Sequence, residues 1–186
     1  PMTPATGFIV QRNQLRETRF IGDAPALAPL DDGAVRLHID RFALTSNNIT
    51  YGVFGDAMHY WRFFPAEGGW GRIPVWGFAR VAETANDELP EGTRVYGYLP
   101  PSSRVVIQPD RFDRRGFVDA SPHRANLPSA YQGYRAVDSD PVYDPEPEDE
   151  SKPPPGSWAD IARMMAQGDD SGIDWDAWKD EMKETD

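Results

Sequence analysis

The segment GAVRLHIDRFALT (33–45) alternates apolar and polar side chains, so Val35, Leu37 and Ile39 share one face of an extended strand, with Phe42 a further candidate for that face. Asp31-Asp32-Gly33 supplies a turn just before it. Upstream, FIVQRNQLRETRFI (8–21) also alternates in part and reads as a strand. Downstream, Val75–Glu83, Thr93–Leu99 and Arg104–Gln108 read as further strands, separated by turns such as Leu89-Pro90-Glu91-Gly92 and Pro100-Pro101. Short strands at this spacing predict a mainly β fold, a barrel or partly open barrel with a few short helices. One such helix is expected over Ala130, Tyr131, Tyr134, Arg135 and Val137, begun by Leu127-Pro128-Ser129.

The chain has 186 residues, enough for one domain of about 130 residues with an appendage. A hydrophobic fraction of 39% with 6 Trp argues for a packed core. The absence of Cys excludes disulfides, thiolate metal sites and a cysteine nucleophile. The apolar runs fall short of the roughly 18–20 residues that span a bilayer, and the N-terminus lacks the pattern of a signal peptide, so a cytoplasmic protein without membrane contact is expected. The net charge of −11 disfavours nucleic acid as a partner. That charge is uneven. Residues 138–186 hold 16 Asp and Glu against 4 Lys and Arg, a net −12, which leaves +1 for residues 1–137 with 14 acidic against 15 basic side chains.

Three regions follow from this break: a β domain at 1–137, an acidic Pro-rich linker at 138–156, and a helical tail at 157–186. In the tail, Ser157 fits an N-cap for a helix whose face carries Trp158, Ile161 and Met165, and Gly168 fits its stop. Asp174 can cap a second helix with Trp175, Trp178 and Met182 in a stripe. Helices of about three turns are marginal alone in water, so each is expected to lie on a surface. That surface is the chain's own barrel, a second copy, or another protein.

Residues 51–78 interleave Tyr51, Phe54, Tyr60, Trp61, Phe63, Phe64, Trp70, Trp76 and Phe78 with glycines. Two readings are open for this loop-rich stretch. The rings close the barrel end, or several of them line an apolar pocket with Asn47, Asn48 and Tyr51 at its edge. His38, His59 and His123 have no metal-ligand spacing, and no metal site is expected. There is no Gly-x-Ser-x-Gly elbow and no Gly-x-Gly-x-x-Gly phosphate loop; Gly68-Gly69-Trp70-Gly71 runs into Pro74 rather than a helix start.

Several segments, NNITYGVFGD (47–56), YWRFFPAEGGWGRIPVWGFARVAE (60–83), LPEGTRVYGYLPPSSRVVIQP (89–109) and FVDASPHRANLPSAYQGYR (117–135), together resemble an uncharacterised domain-of-unknown-function family related to the medium-chain dehydrogenase/reductase, quinone-oxidoreductase-like superfamily. The resemblance covers about residues 8–150. It implies a GroES-like partly open β-barrel, the substrate-side half of an enzyme whose Rossmann domain binds NADP(H). In zinc-free relatives the loop matching Asn47–Tyr51 faces the substrate cleft, which makes Asn47, Asn48 and Tyr51, and more remotely Tyr131, candidate substrate contacts. The absent Cys and the missing Gly-His-Glu motif agree with a zinc-free member.

A full-length relative is expected to continue into a Rossmann domain after Tyr143, where this sequence has the acidic linker and two short helices. No cofactor is therefore expected to bind this chain alone; NADP(H) enters only with a Rossmann partner. Two function classes result. The first is a stand-alone, non-catalytic binding or assembly module that associates with a protein partner or with its own copy through Trp158, Ile161, Met165, Trp175, Trp178 and Met182. The second is the substrate-binding component of a zinc-free NADP(H)-dependent oxidoreductase whose Rossmann domain lies on another chain or is missing.

Overall fold

The computed structural model describes residues 6–22 and 27–137. Among them lie β1 (Thr6–Gln11), β2 (Gln14–Gly22), β3 (Val35–Ala43), α1 (Ser46–Val53), β4 (Trp70–Gly71), β5 (Val75–Thr84), β6 (Arg94–Leu99), β7 (Arg104–Ile107), β8 (Pro109–Asp113), β9 (Gly116–Asp119) and β10 (Gly133–Ala136). The strands form two sheets, β2-β1-β4 and the antiparallel β7-β3-β5-β6-β10-β9-β8. The predicted linker at 138–156 and the helices carrying Trp158, Ile161, Met165, Trp175, Trp178 and Met182 lie outside the described residues.

The alternation of β3 is realised inside the larger sheet, where Val35, Leu37 and Ile39 are buried against Val75, Val81 and Val95. Each such side chain contributes about 1.5–3 kcal/mol by leaving water. Strict alternation would next bury Arg41. Instead the register steps from Ile39–Ala79 to Arg41–Phe78 and passes over Asp40, a bulge that returns Phe42 to the core. The displaced Asp40 carboxylate accepts a hydrogen bond from Arg80 Nη2 at 3.0 Å, with Arg94 Nη2 at 3.6 Å and His38 Nδ1 at 3.4 Å.

The larger sheet curls into a half-barrel, and the chain itself shows why. Strands β7 and β8 stand at opposite ends of the strand order, yet only Gln108 separates Ile107 from Pro109. One residue spans only a few ångströms, so the two rims must meet there. Gln108 N–H donates to Asp119 Oδ1 at 3.1 Å, and its carbonyl accepts from Ala120 N–H at 2.8 Å.

Two expectations are corrected. Residues 8–21 are a hairpin rather than one strand: the chain turns at Arg12 and Asn13, and Phe8 pairs with Phe20 across it. Partial alternation on both sides of a tight turn looks continuous in sequence. The helix expected over 130–137 is also absent. Ser129–Tyr131 makes one 3-10 turn, after which Gly133–Ala136 enters the sheet between β6 and β9. Gly133 ends the turn, and the slot offers Tyr134 a stacked Phe117 ring at 5.4 Å and the Tyr98 carbonyl as acceptor at 2.8 Å. Burial pushes the Tyr134 phenol up to about 12. Gly116 is required beside it: its φ is +151°, and a Cβ there would overlap the Tyr134 carbonyl. No helix among the described residues is long and apolar enough to cross a membrane.

Candidate functional site

Thr45 starts α1, and its backbone N–H donates to Asn48 Oδ1 at 2.7 Å, the returning half of a capping box. Asn48 Nδ2 donates to the Pro74 carbonyl at 2.8 Å, which ties the helix to the chain entering β5. Asn48 is thus buried and both ends of its amide are engaged. The segment expected as a loop, Asn47–Tyr51, is helical. This cap is the reason, and the one helical turn it nucleates brings Asn47 and Tyr51 onto one face.

That face gathers polar groups from three elements. Asn47 Nδ2 donates to Tyr51 Oη at 2.9 Å, and Trp76 Nε1 from β5 donates to the same oxygen at 3.3 Å. With two donors accepted, Tyr51 keeps its own hydroxyl proton to give away. Tyr60, in the 3-10 turn Tyr60–Arg62, lies with its ring 4.7 Å from that of Tyr51. Its hydroxyl is 3.4 Å from that of Tyr131. Tyr98 completes the group, its ring 5.4 Å from Tyr51, 4.8 Å from Tyr131 and 5.1 Å from Trp76. The Tyr98 hydroxyl is buried beside that of Tyr51 and makes no well-formed hydrogen bond.

The protonation state follows from the same crowding. Burial drives the Tyr98 phenol far above its ordinary range, and the neighbouring Tyr51, Tyr131 and Tyr60 add to the shift. The Tyr60 hydroxyl and then burial raise Tyr131, while burial and Tyr51 raise Tyr96. These phenols stay neutral at physiological pH. The cluster offers O–H and N–H donors and no anionic base, a set suited to a neutral carbonyl-type oxygen. Among the described residues no three His, Asp or Glu gather where they could hold a metal ion.

Of the four residues read from sequence, Asn47, Tyr51 and Tyr131 come together, whereas Asn48 serves the cap and the Pro74 link. Of the 51–78 aromatics, Tyr51, Tyr60, Phe63 and Phe64 pack with Tyr98 and Leu127 in a second apolar cluster, with Phe54 and Trp76 against it. Tyr98 escaped the sequence reading. Its signal was Val95-Tyr96-Gly97-Tyr98-Leu99, large apolar side chains on both faces of one strand, which marks a strand covered on both sides.

The family model described as a protein of unknown function (DUF2855) matches residues 42–153, more than half of the chain. The match includes α1, β5 to β10 and every residue of the tyrosine cluster. No curated protein matches the chain. The cluster thus lies wholly within the matched segment, and the chain belongs to this family of proteins of unknown function, DUF2855.

Proposed function

We propose that residues 1–137 form a GroES-like binding module, related to the medium-chain dehydrogenase/reductase superfamily and not catalytic by itself, that holds a flat carbonyl or quinone-type molecule at the tyrosine cluster. The observation that carries this is the doubly accepting Tyr51 hydroxyl beside the Tyr98 hydroxyl, which makes no well-formed hydrogen bond. Two phenol hydroxyls walled by aromatic rings match an acceptor oxygen on a planar apolar body. In the same reading the acidic tail joins the module to a protein partner or a second copy through Trp158, Ile161, Met165, Trp175, Trp178 and Met182.

A titration with 1,4-naphthoquinone tests the site, with naphthalene as the carbonyl-free control. The chain has no cysteine for the quinone to alkylate, so binding is read cleanly from the Trp76 indole N–H resonance. A saturable shift with the quinone alone, lost in Tyr51→Phe and reduced in Asn47→Ala, is the expected result. Equal shifts from naphthalene, or none from either, would remove the site.

The second reading, the substrate half of a zinc-free oxidoreductase, is favoured by the same neutral donors, which would stabilise negative charge developing on a carbonyl oxygen. In this reading NADP(H) is not held by residues 1–137, whose described part has one α-helix, of eight residues. A nucleotide-binding unit other than these residues would have to supply the cofactor.

A further inference from the structure

Phe64, a ring of the second apolar cluster, also lines a cleft of about 800 Å³. Its walls place Arg19, Arg72, Arg104 and Arg124 against Glu67 and Asp119, a cationic excess in a chain of net charge −11. Arg19 is laid flat on the Trp70 ring at 3.5 Å, and Arg72 donates to the Pro65 carbonyl, so both heads are fixed at the rim.

Arg124, at the floor, is the residue that asks for an explanation. Its side chain is 1% exposed, with the guanidinium 4.6 Å from the Phe64 ring centroid. Its one charge partner is Asp119, whose Oδ2 lies 3.1 Å from Nε. That contact lacks hydrogen-bond geometry, and none of the three guanidinium nitrogens makes a well-formed hydrogen bond; the other polar group beside them is the Tyr134 hydroxyl, whose proton goes to the Tyr98 carbonyl. Asp119 cannot turn to serve them. Its Oδ1 is occupied by the backbone N–H groups of Gln108 and Ser121 and by the Ser121 hydroxyl. A buried cation with unmet donors is costly to keep unless something brings acceptors to it.

We infer that this cleft is a binding site for a small organic anion, a carboxylate or phosphate monoester on an apolar body, whose charged end meets the Arg124 fork. Two parallel N–H groups of a guanidinium match two oxygens of such a group. The apolar body then rests on Ile9, Phe64, Trp70 and Val105. The inference does not depend on the quinone reading, since the two ligands are read by different residues.

The test titrates the full chain with phenyl phosphate, phenylacetate and the neutral phenylacetamide, following the Arg124 Nε–H resonance and heat of binding. At least one anion is expected to bind saturably and to move Arg124, about tenfold more tightly than the amide, and whichever anion binds better identifies the head group. Arg124→Lys keeps the charge without the fork and is expected to weaken binding about tenfold. Should that variant fail to fold, Arg104→Gln in the cleft wall is expected to weaken whichever anion binds while leaving the amide unchanged. Amide binding equal to the anions, an Arg124 resonance that no anion moves, or anion affinity unchanged in Arg104→Gln would each overturn the inference.

Discussion

Replacing Tyr98 by Phe should make the protein more stable and poorer at binding. The ring keeps its neighbours, Tyr51, Phe63, Trp76 and Tyr131 at 4.8–5.4 Å between centroids, because a phenylalanine presents the same faces and edges. What disappears is a fully buried hydroxyl without a well-formed hydrogen bond. Such a group costs about 1–3 kcal/mol, and removing it returns much of that, so a gain of about 1–2 kcal/mol is expected. For a folded unit of this size the gain corresponds to roughly 3–6 °C in Tm, measured by calorimetry with urea denaturation for the free energy. Tyr51→Phe is the internal control with the opposite sign. It removes the acceptor of the half-buried Trp76 N–H and of the exposed Asn47 amide, which water can serve, and should cost about 0.5–1.5 kcal/mol. Naphthoquinone affinity should fall in both variants, whereas stability should move in opposite directions. A Tyr98→Phe protein less stable than the parent would refute the reasoning, since the hydroxyl would then be satisfied in solution.

Further outcomes follow from the bulge and from the β9 turn. The Asp40 carboxylate is penalised by burial, but the His38 hydrogen bond, Arg80 and Arg94 outweigh this and hold its pKa below the ordinary 3.8. Its contribution is therefore complete above about pH 5 and lost as the pH falls through the folded value; Asp40→Asn should cost about 1 kcal/mol at pH 7 and flatten the acid limb of a Tm–pH profile. Gly116→Ala places a methyl group on the Tyr134 carbonyl at a φ of +151°, and a loss of about 3 kcal/mol or more in urea titration is expected.

Much of the larger sheet was legible because burial imposes a period of two on β3, β5 and β6, and Val35, Leu37 and Ile39 announce it. The phase error at Phe42 was visible as well, but its cause was not. A bulge at Asp40 is defined by the partner strand, where Ala79 and Phe78 set the register. Residues 133–136 misled for a similar reason: Tyr134 and Arg135 suit a helix locally, and only a vacancy between β6 and β9 makes them a strand. For the site, Asn47 and Tyr51 were named through the resemblance and as polar neighbours of the aromatic stretch, whereas the helical turn that joins them was not foreseen, since the segment was expected as a loop. Trp76, Tyr98 and Tyr131 meet them only through the curl of the sheet, from positions that no local pattern connects. Arg124 was silent in sequence, since a lone arginine between Pro122 and Leu127 looks like surface until Phe63 and Phe64 cover it.

The joint at Gln108 bears on how the barrel tolerates change in length. Most loops absorb an added residue at a small entropic cost, and the Pro90-Glu91-Gly92 turn, exposed throughout, has room to do so. Gln108 has no such slack, because it is at once the end of one rim and the start of the other. One residue inserted there would slide β8 and β9 against β7 by about 3.3 Å and pull the Gln108 amide off Asp119, whose other oxygen faces Arg124. A length change at the seam would thus be felt at the floor of the arginine cleft, through the one carboxylate that Gln108 and Arg124 share.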